Sequence, residues 1–164
     1  MQCVSKACPY DIFTVIKHEE LTTGMKQRAF KEQVFKLLFR ADFYSENTKE
    51  ELLEQLPFYF EAGDMTVSEG DQEKIQERLV AILDDLPEID AQIASKLKNW
   101  APERIGKVEL AVIRMTAYEL KTDTKTPVGV IINDAVEIAK KFGQEGAGKF
   151  VNGVLASFVS DRES

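Results

Sequence analysis

Basic and aromatic side chains gather on one face of the segment 26–43, KQRAFKEQVFKLLFRADF. At 100° per residue, the members of this face are Arg28, Lys31, Glu32, Lys36 and Arg40, with Phe35 and Phe39 among them. Cationic groups contact phosphate, and an aromatic ring stacks on an unpaired base for about 1–3 kcal/mol. The mixture therefore favours binding of single-stranded RNA. The alternative is that both phenylalanines pack beneath a neighbouring helix while the charges are solvated.

A second candidate for binding an anion is the loop 143–149, GQEGAGK. It precedes the last predicted helix, whose free backbone N–H groups and dipole favour a negative charge, and Lys149 adds a positive one. Phe150 beside it is either a surface on which a base stacks or a core residue. A nucleotide-binding P-loop is not indicated, because Lys149 is not followed by Ser or Thr.

The residue types that bind metals or act as nucleophiles are scarce. The two cysteines, Cys3 and Cys8, and the only histidine, His18, lie close to the N-terminus. These ligands are fewer than the four of a structural zinc site, and a disulfide is not expected in a reducing compartment. The usual pairs of nucleophile and base cannot form from the rest of the chain. We therefore predict no metal, no cofactor and no enzymatic activity.

Charge is distributed unevenly along the 164 residues, whose formal net charge is −7. The region 45–100 contains 14 acidic and 5 basic residues, so the remainder has more basic than acidic residues. Binding depends on the field near the contact more than on total charge, so a phosphate-binding surface is permitted outside the acidic region. No apolar run approaches the roughly 20 residues of a membrane span, which predicts a cytoplasmic protein without a membrane segment.

Helices must position these residues, because apolar residues recur at helical spacing and no useful stretch alternates as a strand does. We predict an all-α fold of about seven helices, in a single domain over residues 25–164. The predicted helical segments are 26–43, 50–60, 68–87, 88–97, 102–120, 127–142 and 150–158. Residues 1–24 have no sustained helical period. We expect a disordered leader there, or a misassigned start with translation beginning at Met25.

Three local signals predict where helices begin and end. Ser68 to Asp71 resembles a capping box with Asp in place of Glu, and it begins a helix. Pro87 interrupts that helix, because proline lacks the N–H that continues the hydrogen-bond ladder. Gly143 ends the helix before the loop 143–149, in the left-handed conformation that glycine adopts readily.

The segment 102–120, PERIGKVELAVIRMTAYEL, is apolar on nearly every side. Such a helix is expected at the centre of the fold. Arg114 within it then requires a partner, because an unpaired buried guanidinium is very costly, and we expect a carboxylate or helix-end carbonyls. Trp100, just before this segment, is predicted to be a core anchor.

Three motifs carry a family resemblance: IGKVELAVIRMTAYEL, NDAVEIAKKFG and KFVNGVLASF. Together they closely resemble the NusB family of bacterial transcription antitermination factors, and the match continues more loosely back to Lys26. The resemblance implies two small helical bundles packed across one another. It also implies an RNA-binding adaptor that joins NusE, a small-subunit ribosomal protein, on boxA-type single-stranded RNA. Such an adaptor belongs to the antitermination complex of RNA polymerase, chiefly on ribosomal RNA operons.

The resemblance also assigns roles by position. In this family the loop and the basic first helix receive the RNA, which implicates Lys26, Arg28, Lys31, Lys149 and Phe150. The surface for NusE is expected at Glu103 and Glu109, bordered by Phe39, since acidic side chains suit a basic ribosomal protein. The alternative for both glutamates is a solvated helix face.

The chain departs from the family pattern at two places. Relatives often have a dense arginine run before the first helix, and many have polar side chains where this loop reads Gly146-Ala147-Gly148. We therefore expect weak binding of RNA by this protein alone, with a partner supplying the remainder. Two other functions stay open: a purely protein-binding helical module, and a stand-alone relative of the RNA-binding domain of ribosomal RNA cytosine methyltransferases. Self-association as a homodimer through the RNA-binding face also stays open.

Overall fold

The computed structural model describes residues 25–44, 48–97 and 102–163, and every regular element in these ranges is a helix. The described residues form six α-helices: α1 (Gln27–Ala41), α2 (Thr48–Ala62), α3 (Glu69–Lys96), α4 (Lys107–Thr122), α5 (Val128–Phe142) and α6 (Ala147–Glu163). A 3₁₀ turn (Pro102–Arg104) precedes α4. The all-α prediction is confirmed. The predicted leader 1–24 and the predicted core residue Trp100 lie outside the described residues.

The helices pack as two groups of three that meet along α4. Helices α1, α2 and α3 contact one another, and so do α4, α5 and α6. Because α4 also contacts α1 and α3, it is the central helix that the apolar pattern of 102–120 predicts. Val112 and Ile113 of α4 are fully buried, as are Ile131 of α5 and Leu155 of α6. None of the helices in the described ranges is long and apolar enough to cross a membrane.

Pro87 lies inside α3 without ending it, so the predicted break is wrong and two predicted helices are one. A proline removes one intrahelical hydrogen bond and crowds the preceding turn, which bends a helix or ends it. In α3 the apolar stripe continues across the proline, since Ile82 and Ile89 are both buried in the same core. Packing on both sides of Pro87 therefore holds the 28 residues in one helix.

The N-terminus of α3 is capped as the sequence predicts. The backbone N–H of Asp71 donates to Ser68 Oγ at 3.2 Å, and Ser68 Oγ donates to Asp71 Oδ2 at 3.0 Å. The same carboxylate oxygen accepts a hydrogen bond from the backbone N–H of Met25 at 3.1 Å. Asp71 therefore ties the residues just before α1 to the first turn of α3.

Arg114 has the carboxylate partner that its place in a central helix requires. Its Nε and Nη2 donate to the two oxygens of Asp90 in α3, at 2.8 and 2.9 Å, and its Nη1 donates to Asp42 Oδ1 at 3.3 Å. Lys107 Nζ donates to the other oxygen of Asp42 at 2.6 Å. Partial burial alone would raise the pKa of Asp42, but hydrogen bonds from these two cations hold that pKa below its usual value. The network joins the end of α1 to α3 and α4.

Candidate nucleic-acid interface

Side chains of α1 contact side chains of α5 at several points, and these contacts help to decide which α1 side chains reach the surface. Arg28 Nε lies 3.1 Å from Asp134 Oδ1. Further along both helices, the ring centroids of Phe35 and Phe142 lie 5.1 Å apart. Residues of α5 therefore cover part of the α1 face that the helical wheel assigns to solvent.

Lys31 lies beneath this helix pair, with only 3% of its surface exposed. Its Nζ is 2.8 Å from Asp134 Oδ2 and 3.0 Å from Glu119 Oε1 of α4, and both carboxylates are buried. Burial raises the pKa of Glu119, and the charge of Lys31 opposes that shift. The expectation that Lys31 lies on an exposed face is wrong, because its charge is paired inside the protein. Both acids belong to distant helices, so the local pattern did not reveal them.

Phe35 is also buried, with 2% of its surface exposed, so its predicted place on an exposed aromatic face is wrong. It packs beneath α5, which is the alternative that the sequence left open. Its ring centroid lies 6.2 Å from that of Phe39, and Phe39 meets Phe43 edge to face at 5.3 Å. Phe43 is 66% exposed, so the row of rings runs from the core to the surface.

A groove of about 710 Å³ lies where the end of α1, the start of α4 and the loop between α5 and α6 meet. We call it the loop groove. Its walls include Phe39 of α1, Glu109 of α4, Phe142 of α5, Gly146 of the loop and Phe150 of α6. The structure therefore brings together Phe39, Glu109 and Phe150, which lie in three separate predicted segments.

Two glycines shape the loop beside this groove. Gly143 follows α5 in an extended conformation, φ −94° and ψ −177°, so the predicted left-handed cap is wrong. The positive φ occurs instead at Gly146, at 88°. A Cβ at Gly143 would lie 2.7 Å from the carbonyl oxygen of Ala139 and 2.7 Å from Cβ of Ala147. Close packing, and not a left-handed φ, therefore requires glycine at position 143.

Glu109 is positioned by the space that two glycines leave. A Cβ at Gly106 would overlap Glu109 Oε1, and a Cβ at Gly143 would lie 3.1 Å from Oε2. The carboxylate therefore lies between the end of α5 and the first turn of α4, where free N–H groups favour a negative charge. Glu103, the other acid expected on the partner surface, is exposed in the 3₁₀ turn that leads to α4.

Several of the predicted cations do reach the surface. Lys26, Arg28 and Lys149 are exposed, and Lys36 is partly exposed. Lys26 and Arg28 lie at the start of α1, while Lys149 lies in the first turn of α6 and precedes Phe150 of the loop groove. Cations are therefore exposed both at the start of α1 and at the start of α6.

The remaining predicted cation, Arg40, faces α2. Its Nη2 donates to Gln55 Oε1 at 3.2 Å, and its guanidinium lies 5.7 Å from the centroid of the Tyr59 ring. Arg40 therefore points away from the loop groove, although it shares the wheel sector of Lys36.

Three residues of this surface were not predicted as site residues: Phe43, Lys107 and Phe142. Lys107 and Phe142 line the loop groove, and Lys107 Nζ lies 5.9 Å from the centroid of the Phe43 ring. The four-residue spacing from Phe35 through Phe39 to Phe43 was a signal present in the sequence. The positions of Lys107 and Phe142 were not predictable in this way, because they depend on how α1 packs against α4 and α5.

The chemistry that this surface offers is binding by aromatic rings, cations and carboxylates. In the part of the chain that the structure describes, no group of three or more His, Cys, Asp or Glu side chains is arranged to hold a metal ion. Cys3, Cys8 and His18 lie outside the described ranges.

Comparison with known proteins identifies related sequences. The family model described as the NusB family matches residues 28–160. The transcription antitermination protein NusB of Agathobacter rectalis is 42% identical over 137 residues, which are 82% of this chain and 100% of that protein. The protein of the same name from Lachnoclostridium phytofermentans is 38% identical over 135 residues, which are 82% of this chain and 99% of that protein.

Solved structures share the fold. NusB of T. maritima superposes with a TM-score of 0.71 at 32% identity, covering 84% of this chain and 92% of that one. A chain from the crystal structure of the antitermination factors NusB and NusE in complex with dsRNA superposes with a TM-score of 0.67 at 26% identity. The match covers 82% of this chain and 96% of that one. The paired helical bundles described above are therefore an arrangement that these proteins also have.

Proposed function

Since this chain belongs to the NusB family, we propose that it is a transcription antitermination factor that binds boxA-type single-stranded RNA together with NusE. It joins the antitermination complex of RNA polymerase and promotes processive transcription of ribosomal RNA operons. It acts as a non-enzymatic adaptor in the cytoplasm, where the nascent transcript is made. Antitermination proteins match this chain over their whole length, which favours this function over that of a methyltransferase-associated domain.

The observation that carries this function is the loop groove, because it joins two kinds of contact in one place. Phe39 and Phe150 supply aromatic surface for unpaired bases, and the exposed Lys149, which precedes Phe150 in α6, supplies a charge for phosphate. Glu109 in the same groove supplies a negative charge that suits a basic ribosomal protein. RNA and NusE therefore meet at adjoining parts of one surface.

The proposed contact residues are those predicted site residues whose side chains are exposed or partly exposed at this surface. Those for RNA are Lys26, Arg28, Lys36, Phe39, Lys149 and Phe150, and those for NusE are Glu103 and Glu109, with Phe39 at the border. Lys31 and Phe35 are buried and contact α5, so they stabilise this surface from the interior.

The loop itself offers few side chains to RNA. Gly146 has none, and a Cβ at Gly148 would lie 2.9 Å from Cγ of Lys140, because the lysine stem packs over that glycine. We therefore propose that RNA is bound weakly by this protein alone. Two weak contacts made through one complex reinforce each other, since the second partner binds at a high effective concentration once the first is held.

Fluorescence anisotropy of a labelled boxA-type RNA, with and without NusE, tests this function. We expect tighter binding with NusE present and a preference over a scrambled RNA. Lys149→Ala is expected to weaken binding and to lower the salt slope by about 0.7, the contribution of one phosphate contact to single-stranded RNA. Lys125→Ala removes an exposed lysine of the α4–α5 loop and is the matched control, with unchanged binding. Binding of NusE without any binding of RNA would instead identify a purely protein-binding module.

A further inference from the structure

We infer that the protein has a second cavity, next to the loop groove, that binds an unpaired base of the same RNA strand. The cavity, of about 330 Å³, lies between α1, the end of α2, residues 63–67 and the end of α5. We call it the Gln33 cavity, and its lining includes Gln33, Lys36, Tyr59, Phe60, Met65 and Lys141. This inference rests on the proposed binding of single-stranded RNA and adds a place for a further nucleotide.

Gln33 is the residue that indicates a ligand. Only 7% of its surface is exposed, and its Oε1 accepts a hydrogen bond from the Tyr59 hydroxyl at 2.6 Å. Among the described residues, this is the only hydrogen bond of the Gln33 side chain. The amide N–H groups of Gln33 are therefore available at the wall of the cavity, and an acceptor on a bound group can satisfy them. A carbonyl oxygen or ring nitrogen of a nucleobase is such an acceptor.

The cavity also has the apolar walls that a base requires. Tyr59 and Phe60 meet edge to face with their ring centroids 5.2 Å apart, and Phe60 is only partly buried. Met65, which belongs to the same lining, is 42% exposed, which is unusual for a large apolar side chain among the described residues. An aromatic ring and a flexible thioether can enclose the flat face of a base.

Two lysines of the Gln33 cavity lie close to a wall of the loop groove. Lys36 and Lys141 line the cavity, and their Nζ atoms lie 5.6 and 5.3 Å from the centroid of the Phe142 ring. Phe142 in turn lines the loop groove. An RNA strand that passes from the groove to the cavity therefore crosses two cations, which are placed to contact the phosphate between two bases.

Two carboxylates favour a base over a phosphate inside the cavity. Glu32 and Asp64 belong to the lining, and Glu32 accepts hydrogen bonds from Lys141 Nζ at 2.9 and 3.2 Å. A carboxylate repels phosphate, but it accepts a hydrogen bond from an exocyclic amine such as that of cytosine. The amide N–H groups of Gln33 and these two carboxylates together suit a base that has both an exocyclic amine and a hydrogen-bond acceptor.

The test compares a labelled boxA-type RNA with the same RNA lengthened by a few cytidines at its 5′ or 3′ end, both in the presence of NusE. We expect lengthening at one end to tighten binding roughly tenfold, the effect of one stacked base. Phe60→Ala combined with Met65→Ala is expected to abolish that gain and to leave the affinity for the short RNA unchanged. Phe58→Ala is the matched control, because Phe58 is 68% exposed on the same helix and does not line the cavity.

A second measurement uses the unaltered protein, so that it does not depend on the folding of a variant. The side-chain NH₂ signals of Gln33 in ¹⁵N-labelled protein are expected to shift with the lengthened RNA and not with the short one. Equal binding of both RNAs with unmoved Gln33 signals would overturn the cavity while the proposed function stands. Absence of binding to either RNA, with NusE still bound, would overturn the proposed function and the cavity with it.

Discussion

Lys31 Nζ lies 2.8 Å from Asp134 Oδ2, in a pair whose side chains are 3% and 9% exposed. This contact fixes α1 against α5 from the inside, and Glu119 of α4 joins it from a third helix. Two acids around one lysine leave a net negative charge in the interior, which Arg28 at the surface partly offsets through Asp134. The basic surface of α1 therefore depends on a buried charge cluster beneath it.

Removal of the lysine charge is expected to destabilise the fold. Lys31→Ala leaves two buried carboxylates without their main cation, and breaking such a pair costs about 3–5 kcal/mol. Urea denaturation followed by circular dichroism measures this change. Lys74→Ala, at an exposed position of α3, is the control and is expected to change stability by no more than about 0.5 kcal/mol. Full stability with a specific loss of RNA binding in Lys31→Ala would place this lysine on the RNA surface instead.

The pH dependence of stability reports on Glu119. Burial raises its pKa above the usual 4.5, against the opposing charges of Lys31 and Arg78 and with the help of Asp123. Above pH 4.5 the unfolded chain therefore loses a proton that the folded protein keeps, so this group's contribution to stability falls as pH rises through the folded pKa. In Glu119→Gln, this part of the pH dependence of the unfolding free energy is expected to vanish. Unfolding free energies of both proteins across this pH range measure it, and parallel curves would contradict the assignment.

Gly143 and Gly129 are expected to respond oppositely to the same substitution. Gly143→Ala forces a Cβ to within 2.7 Å of the Ala139 carbonyl oxygen and the Ala147 Cβ, and overpacking of this kind costs about 1–3 kcal/mol. Gly129→Ala meets no atom within 4 Å in α5, and it is expected to stabilise the helix by about 0.4–1 kcal/mol. Thermal melting of the two variants tests both. A neutral Gly143→Ala would show that the loop has room to move.

Reversal of charge at Glu103 is expected to weaken the binding of NusE. Glu103→Lys removes an exposed negative charge from the proposed partner surface and places a positive one against a basic protein, which chiefly lowers the rate of association. Surface plasmon resonance with immobilised NusE measures that rate. Glu73→Lys makes the same change at an exposed position of α3 and serves as the control. Equal losses in both variants would mean that only the total charge matters.

Features carried by neighbouring residues were predictable from the sequence alone. The all-α fold follows from apolar spacing, and the cap of α3 follows from Ser68 and its first turn. The central place of α4 follows from its apolar residues on every side, and the carboxylate partner of Arg114 follows from the cost of burying a charge in such a helix. These are properties of a few consecutive residues, so they do not depend on the course of the rest of the chain.

Features that depend on distant residues were decided only by the tertiary structure. Pro87 stays within a helix because the core holds both of its sides, and Lys31 is buried because its two acids come from α4 and α5. A helical wheel separates the faces of a helix, but it cannot tell which face a second helix will cover. Contacts from α4 and α5 buried Lys31 and Phe35, which the helical wheel had assigned to the RNA surface.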